Sequence, residues 1–163
     1  IYNRKAFDDG LSRAVIRARE TDGHLCLLLL DIDHFKRFND TWGHQTGDQV
    51  LRYVASVIGR VSKSPRVAAR FGGEEFAVIF PGESAAVVEA ALNAIRTEIG
   101  ARSLRRRSTN DELGAVTISG GLAQRRPGES GSELLDRADA ALYASKRNGR
   151  NQVTNGERLE EAA

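Results

Sequence analysis

The chain has 163 residues, 40% of them hydrophobic and 28% charged, a balance that suits one globular domain with an apolar core and excludes a disordered or membrane-embedded segment. Its 24 basic and 22 acidic side chains leave a formal charge of +2, which excludes a bulk electrostatic case for nucleic-acid binding while allowing a local basic site. Phe7, Leu11, Ala14, Val15 and Ala18 recur at helical spacing and predict a first helix, with Asn3 as its cap. Asp22-Gly23 breaks that pattern. The run Leu25 to Leu30 then reads as a strand buried on both faces, and it is far too short to span a bilayer. It contains the only cysteine, Cys26, so no internal disulfide framework exists, which fits a reducing compartment.

After a polar stretch, Val50, Leu51, Val54, Ile58 and Val61 mark a second amphipathic helix, and Pro65 ends that region. Two strand-like runs, Val67 to Phe71 and Glu75 to Phe80, flank Gly72-Gly73. Such a connection predicts a hairpin, because glycine reaches positive φ at no steric cost. Ala85 to Ile99 forms a third helix, Arg102 to Gly114 is a polar loop or weak excursion, and Val116 to Leu122 is another strand. Ser132 to Arg147 is a fourth helix with Gly149 as its stop, Gln152-Val153 an edge strand, and the remainder a tail. Strands alternating with helices, plus one hairpin, give an α/β (α+β) sandwich with helices over a mixed sheet.

Four groups of residues carry chemistry. Asp31-Ile32-Asp33-His34-Phe35-Lys36 follows the buried strand directly; a carboxylate there points rigidly into a ligand-binding loop region, or it simply turns the chain. At the hairpin tip, Glu74 and Glu75 point to opposite faces; acidic tips are otherwise ordinarily solvated. If the hairpin lies beside the buried strand, Asp31 and one glutamate can share a hard cation whose shell phosphates complete, as is usual for Mg²⁺. Lys146 and Arg150 either cap a helix C-terminus or grip a polyphosphate. Asn39-Asp40, Gly43-His44 and Gly47-Asp48 either read a guanine edge or serve as ordinary turn and cap residues. Trp42 reads as packing, and Arg105 to Arg107 as solvated surface. Together these groups make a nucleotidyl-transfer constellation.

The same residues, with GGEEF at Gly72 to Phe76 and Ala144-Ser145-Lys146 running into Gly149-Arg150-Asn151, resemble the GGDEF family of diguanylate cyclases, in order and over nearly the whole chain. The resemblance implies a palm-like fold, with a central, mostly antiparallel sheet wrapped by helices as in adenylyl cyclases and polymerases. It implies condensation of two GTP into cyclic di-GMP with release of pyrophosphate, across a homodimer in which each protomer holds one GTP. Asp31, the Ile32 carbonyl, Glu74 and Glu75 correspond to the Mg²⁺ site, with two ions per active site and Mn²⁺ as a substitute. Glu74, Glu75 and Lys36 correspond to catalytic residues, Glu74 being favoured as the group that takes the 3′-hydroxyl proton. Asn39 and Asp48, with His44 nearby, match the guanine readers, and Asp48 predicts GTP over ATP. Backbone groups at His34 and Phe35, with Lys36, Lys146, Arg150 and the open tip at Gly72 and Gly73, match the triphosphate site.

Two departures matter. Product-inhibited members carry Arg-x-x-Asp before the glycine pair, where this chain has Lys63-Ser64-Pro65-Arg66; the expectation is that no product-inhibition site exists there. The family's leading Asp-x-Leu-Thr-x-Leu segment precedes the Asn-Arg pair, here Asn3-Arg4. With no methionine and a start at Ile1, the chain reads as residues 1–153 of a GGDEF domain truncated inside its first motif, with 154–163 as a polar tail. It is expected to be the cytoplasmic output domain of a longer signalling protein, dimerised by a missing N-terminal regulatory region that is cytosolic or membrane-anchored. This domain itself would touch neither membrane nor nucleic acid. The alternatives are a catalytically silent GTP-binding or interaction module of the same fold and, more distantly, another cyclase of palm architecture.

Overall fold

Asn3 starts the first helix: its side chain accepts a hydrogen bond from the Ala6 N–H at 2.9 Å, and α1 runs Arg4–Thr21 to a left-handed cap at Asp22, φ 51°. The cap satisfies one of the orphan donors of the first turn, a contribution of about 1 kcal/mol. The computed structural model describes residues 1–162. After α1 come β1 (Leu25–Ile32), α2 (Phe35–Trp42), α3 (His44–Val61), β2 (Val67–Arg70), β3 (Glu75–Pro81), α4 (Ala85–Ala101), β4 (Leu104–Arg105), β5 (Glu112–Gly114), β6 (Ile118–Gln124), α5 (Gly131–Arg147), β7 (Val153–Asn155) and α6 (Gly156–Ala162). No helix of the described residues is long and apolar enough to cross a membrane.

The main sheet has the order β2-β3-β1-β6-β7, antiparallel except for the β6–β7 pair, and β4 with β5 forms a separate two-stranded arm. β1 is central and wholly buried, because alternate residues feed two apolar layers. Leu25, Leu27 and Leu29 pack with Phe7, Leu11 and Val15 of α1 and Leu134, Ala138 and Leu142 of α5. Cys26, Leu28 and Leu30 pack with Val50, Val54 and Ile58 of α3 and Val88, Leu92 and Ile95 of α4. A strand covered on both faces has no reason to alternate with polar residues, which is why it reads as one apolar run.

Several expectations change. The polar stretch after β1 is helical: Phe35 and Phe38, three apart, stack at 6.4 Å and give the eight-residue α2 an apolar edge, and α3 begins at His44, before its apolar stripe. The tip glycines are not in the left-handed region; the positive-φ glycines are Gly43, Gly82, Gly114, Gly128 and Gly149. Of the 154–163 tail, residues 154–162 fall in β7 and α6, and 163 lies outside the described residues. Thr154 belongs to β7, the Asn155 side chain accepts from the Glu157 N–H at 3.0 Å, and buried Gly156 sits against β6. Helix α6 then holds on through an ion pair between Glu157 and Arg137 at 2.9 Å. Nor are the arginines of 105–107 all free surface: Arg106 Nε donates to buried Thr46 at 3.1 Å, and Gln49 bonds the backbone of Arg105 and Arg107.

Candidate active site

The buried strand ends in a carboxylate. Asp31 is 5% exposed, and the Lys146 ammonium, reaching over from α5, donates to it. Lys146 reaches that far because α5 lies directly on β6. A Cβ at Gly121 would stand 2.8 Å from the Ala141 carbonyl carbon and closer still to Leu142 N and Ala138 O. The β1–β3 register sets Asp31 opposite Glu75, and the Glu74 carbonyl accepts from the Ile32 N–H at 3.3 Å. Burial pushes the Asp31 carboxyl above its usual range, Lys146 pulls it back, and Glu74 and then Glu75 push it up again.

Three carboxylates answered by one ammonium leave an excess of negative charge at the mouth of a buried strand, a setting that fits a divalent cation. Among the described residues no group of three His, Cys, Asp or Glu side chains is arranged to hold a metal unaided. The fit is therefore to a hard ion whose remaining oxygens come from a ligand, the usual condition of Mg²⁺ at phosphates. The hairpin tip leaves room for one: Gly72 and Gly73 are exposed, and nothing lies within 4 Å of a Cβ built at Gly73. Arg70 fixes the tip, its guanidinium donating to the Gly73 carbonyl at 2.7 and 3.1 Å and to that of Gly72 at 3.3 Å.

A second wall comes from α2. His34 stands at φ 56° immediately before it, and its carbonyl accepts from the Phe38 N–H at 3.0 Å. The N–H groups of Phe35, Lys36 and Arg37 are thereby left without helical partners, which is the arrangement that receives phosphate oxygens. Phe35 is buried and anchors that turn. The side chains of Lys36 and Arg150 are exposed and make no hydrogen bond or ion pair with the described residues. Arg150 and Asn151 follow Gly149 in three consecutive positive-φ positions, 110°, 63° and 48°.

On the third side, Asp48 lines a cleft of about 590 Å³ with Leu51, Arg52, Phe71, Gly72 and Phe76. Asn39 lies one helix over, its buried Oδ1 without a hydrogen-bond partner among the described residues. Gly47 makes the space for it: a Cβ there would lie 2.9 Å from Asn39 Cγ and 3.2 Å from the Phe35 ring. His44, exposed at the first position of α3, touches none of these groups through a hydrogen bond or ion pair. A larger cleft of about 1070 Å³ lies between α3, α4 and the β4–β5 arm; it contains none of Asp31, Glu74, Glu75 and Lys146, so its size does not make it the site.

The structure thus joins Asp31 to Lys146 directly, sets Glu75 opposite Asp31 in the β1–β3 register with Glu74 beside it, and gathers Asp48 with Gly72. Sequence reasoning missed Arg70 and gave no role to Asp33. Asp33 is 8% exposed and accepts from Thr117 Oγ1, Ser119 Oγ and the Asn151 N–H. The one sequence signal for it was a second carboxylate two residues after Asp31, in the turn that follows β1.

A family model described as the GGDEF domain of diguanylate cyclases matches residues 1–152. Among curated proteins, the chain is 35% identical over 153 residues to diguanylate cyclase VdcA of Vibrio cholerae, covering 94% of this chain and 44% of that protein. It is 42% identical over 131 residues to diguanylate cyclase A of Treponema denticola, covering 80% and 34%. It therefore spans less than half the length of these relatives. Among solved structures, the GGDEF domain of DgcB from Caulobacter crescentus in complex with c-di-GMP superposes with a TM-score of 0.94 at 66% identity, over 95% of this chain and 88% of that one. The active GGEEF domain of a diguanylate cyclase from Vibrio cholerae gives 0.86 at 27% identity, over 94% and 96%. A match over almost the full chain, joined to a carboxylate-rich strand end and an open glycine tip, makes this chain a GGDEF domain of the diguanylate cyclase family.

Proposed function

We propose that this domain condenses two GTP into cyclic di-GMP with release of two pyrophosphates, each protomer of a homodimer contributing one GTP. The observation that carries the reading is the meeting of Asp31, Glu74, Glu75 and Lys146 at the paired ends of β1 and β3. The base is oriented by Asn39 and Asp48: a carboxylate accepts from the ring N–H and exocyclic amine of guanine, a pair of donors adenine lacks. The triphosphate is held by the first turn of α2, with Lys36, Lys146 and Arg150 as cations and the glycine tip giving it access. Asp31, Glu74, Glu75 and the Ile32 carbonyl would hold two Mg²⁺, or Mn²⁺ in their place, which when bound supply positive charge at the α-phosphate and the leaving pyrophosphate. Glu74 takes the proton from the attacking 3′-hydroxyl, and Lys36 offsets charge that develops on the phosphates, so most of the rate comes from positioning and electrostatics.

The domain would act on the cytoplasmic side as the output of a longer signalling protein whose regulatory part brings two copies together. Feedback by product at Lys63-Ser64-Pro65-Arg66 is not expected. Arg66 stands where a product-binding member has aspartate, and its guanidinium is committed to Glu83 at 2.5 and 2.8 Å and to the Val61 carbonyl at 2.6 Å. Calorimetry of the nucleotide-free protein with cyclic di-GMP should give no tight binding that depends on Lys63 and Arg66. The activity is tested by incubating the protein, dimerised through a fused coiled coil, with GTP and Mg²⁺ and identifying the product by mass spectrometry. Cyclic di-GMP supports the reading; a mononucleotide cyclic product or no turnover refutes it.

A further inference from the structure

Asp33 is a buried carboxylate that makes no ion pair among the described residues. Its three partners are neutral: Ser119 Oγ at 2.6 Å on Oδ1, and Thr117 Oγ1 at 2.7 Å with the Asn151 N–H at 3.0 Å on Oδ2. The two hydroxyls come from β6 and the residue just before it, rigid neighbours of β1, and the backbone agrees, with Asp33 N–H donating to the Thr117 carbonyl at 2.9 Å. The third donor belongs to the turn after α5. There Arg150 and Asn151 are both left-handed, at φ 63° and 48°, a conformation that asparagine tolerates but that is uncommon for arginine. Arg96 of α4 holds the same residue from another direction, donating to Asn151 O at 3.2 Å and Oδ1 at 3.0 Å. Asn151 is therefore fixed at its N–H, its carbonyl and its side chain, and Arg150, one residue earlier, is left with an unengaged guanidinium.

We propose that Asp33 is a positioning residue for phosphate binding: by accepting the Asn151 N–H it fixes the left-handed turn from which Arg150 presents its guanidinium to the triphosphate. This rests on the reading of the site as a GTP site. Asp33 touches no phosphate itself. It transmits the rigidity of β1 and β6 to a turn whose own conformational preferences would not place Arg150. An asparagine can do the same work. Its oxygen replaces Oδ2 and accepts from Thr117 and Asn151, and its amide replaces Oδ1 and donates to Ser119, whose hydroxyl both donates and accepts. Alanine removes the carboxylate acceptor of the Asn151 N–H, and losing a hydrogen bond to a charged group corresponds to about tenfold in an equilibrium.

The test uses Asp33→Ala, Asp33→Asn, Arg150→Ala and the Asp33→Ala/Arg150→Ala pair, with GTP and guanosine binding measured by calorimetry in Mg²⁺ and hydrogen exchange followed at the Asn151 amide. Asp33→Ala should weaken GTP about tenfold and leave guanosine unchanged. Asp33→Asn should stay near wild type for both, and the double variant should bind GTP no more weakly than Arg150→Ala. The Asn151 amide should exchange faster in Asp33→Ala than in wild type and be restored in Asp33→Asn. Equal loss of GTP and guanosine, additive losses in the pair, or an asparagine variant as impaired as alanine would overturn the proposal. A wild-type protein that binds no GTP would sink the nucleotide reading instead, while exchange at Asn151 would still decide whether Asp33 fixes the turn.

Discussion

Replacing Gly121 by alanine tests whether the close approach of α5 to β6 builds the site. The added Cβ would sit 2.8 Å from the Ala141 carbonyl carbon and nearer still to Leu142 N and Ala138 O, all of them backbone. Backbone atoms cannot rotate aside, so α5 has to rise by on the order of 1 Å and loosen Leu134, Ala138 and Leu142 in the layer beneath it. Overpacking of this kind costs about 3 kcal/mol, the upper part of the usual range, which for a domain of this size lowers Tm by roughly 6–12 °C. The same lift draws Lys146 away from Asp31, and a misplacement of about 1 Å can cost about 100-fold in rate. Gly120→Ala is the matched control. Its Cβ faces the other layer and meets only side-chain methyls, Leu30 Cδ2 at 3.0 Å, Val153 Cγ2 at 3.3 Å and Leu28 Cδ1 at 3.4 Å, which can shift for about 1 kcal/mol. Thermal unfolding followed by circular dichroism, with pyrophosphate release measured well below Tm, reads both effects. Equal Tm losses for the two variants, or normal turnover in a destabilised Gly121→Ala protein, would refute the argument.

Gly47→Ala should push Asn39 out of its place beneath the base cleft and raise the KM for GTP about tenfold; steady-state kinetics showing an unchanged KM in a folded variant would count against Asn39 as a base-reading group. Asp48→Ser should erode the preference for GTP over ATP by about tenfold, read as the ratio of kcat/KM for the two nucleotides, and an unchanged ratio would sink the specificity argument. Burial, followed by the charges of Glu83 and Glu157, pushes the Cys26 thiol up to about 12. Native protein should resist iodoacetamide at pH 8 and react only in denaturant, as mass spectrometry would detect. Because the folded state keeps this proton while the unfolded chain releases it near 9, the contribution to stability is complete below pH 9 and is lost as pH rises toward 12. Denaturant midpoints that rise across that window would reverse the sign.

The parts of the fold legible in the sequence are those whose signal is local or doubly determined. Asn3 and the stripe from Phe7 to Ala18 specify α1 by cap and period together, and β1 is an uninterrupted apolar run because helices cover both of its faces. Helix α2 escaped although Phe35, Phe38 and Trp42 stand at i, i+3 and i+7, because eight residues fall short of the window of about 11–18 over which such a period is read. Helix α6 escaped because its support is tertiary, from Arg137 and the buried Gly156. In the site, Asp31 stood out from its strand-end position and Lys146 from its charge near a helix end, while the hairpin tip offered Glu74 and Glu75 with the choice between them open; the register that sets Glu75 opposite Asp31 is seen only in the folded sheet. Asp33 was not, since its hydroxyl partners lie 84 and 86 positions away. Gly47 looked like a turn residue, yet it sits within α3, where glycine is normally unfavourable; its reason is the Asn39 amide packed against it.

The geometry also bears on how a domain with a charge of only +2 would bind the one triphosphate proposed for it. Cations scattered over a surface are screened within about 10 Å at ordinary ionic strength, so what counts is where a few of them are held. Lys146 is held by an α-helix that a side-chain-free residue, Gly121, admits against the sheet, and Arg150 projects from a turn pinned at its next residue by Asp33 and Arg96. The Asp31–Lys146 pair, buried at the aspartate and half-exposed at the lysine, is weak as a source of stability, because desolvating the carboxylate offsets much of the attraction. As a device for position it is strong: it fixes a carboxylate and an ammonium at the point where β1, β3 and α5 converge. On the proposed function, recognition of a polyanion would thereby rest on packing as much as on charge. Substitutions that leave every charged residue in place but disturb that packing, Gly121→Ala foremost, should impair the domain as severely as removing a charge.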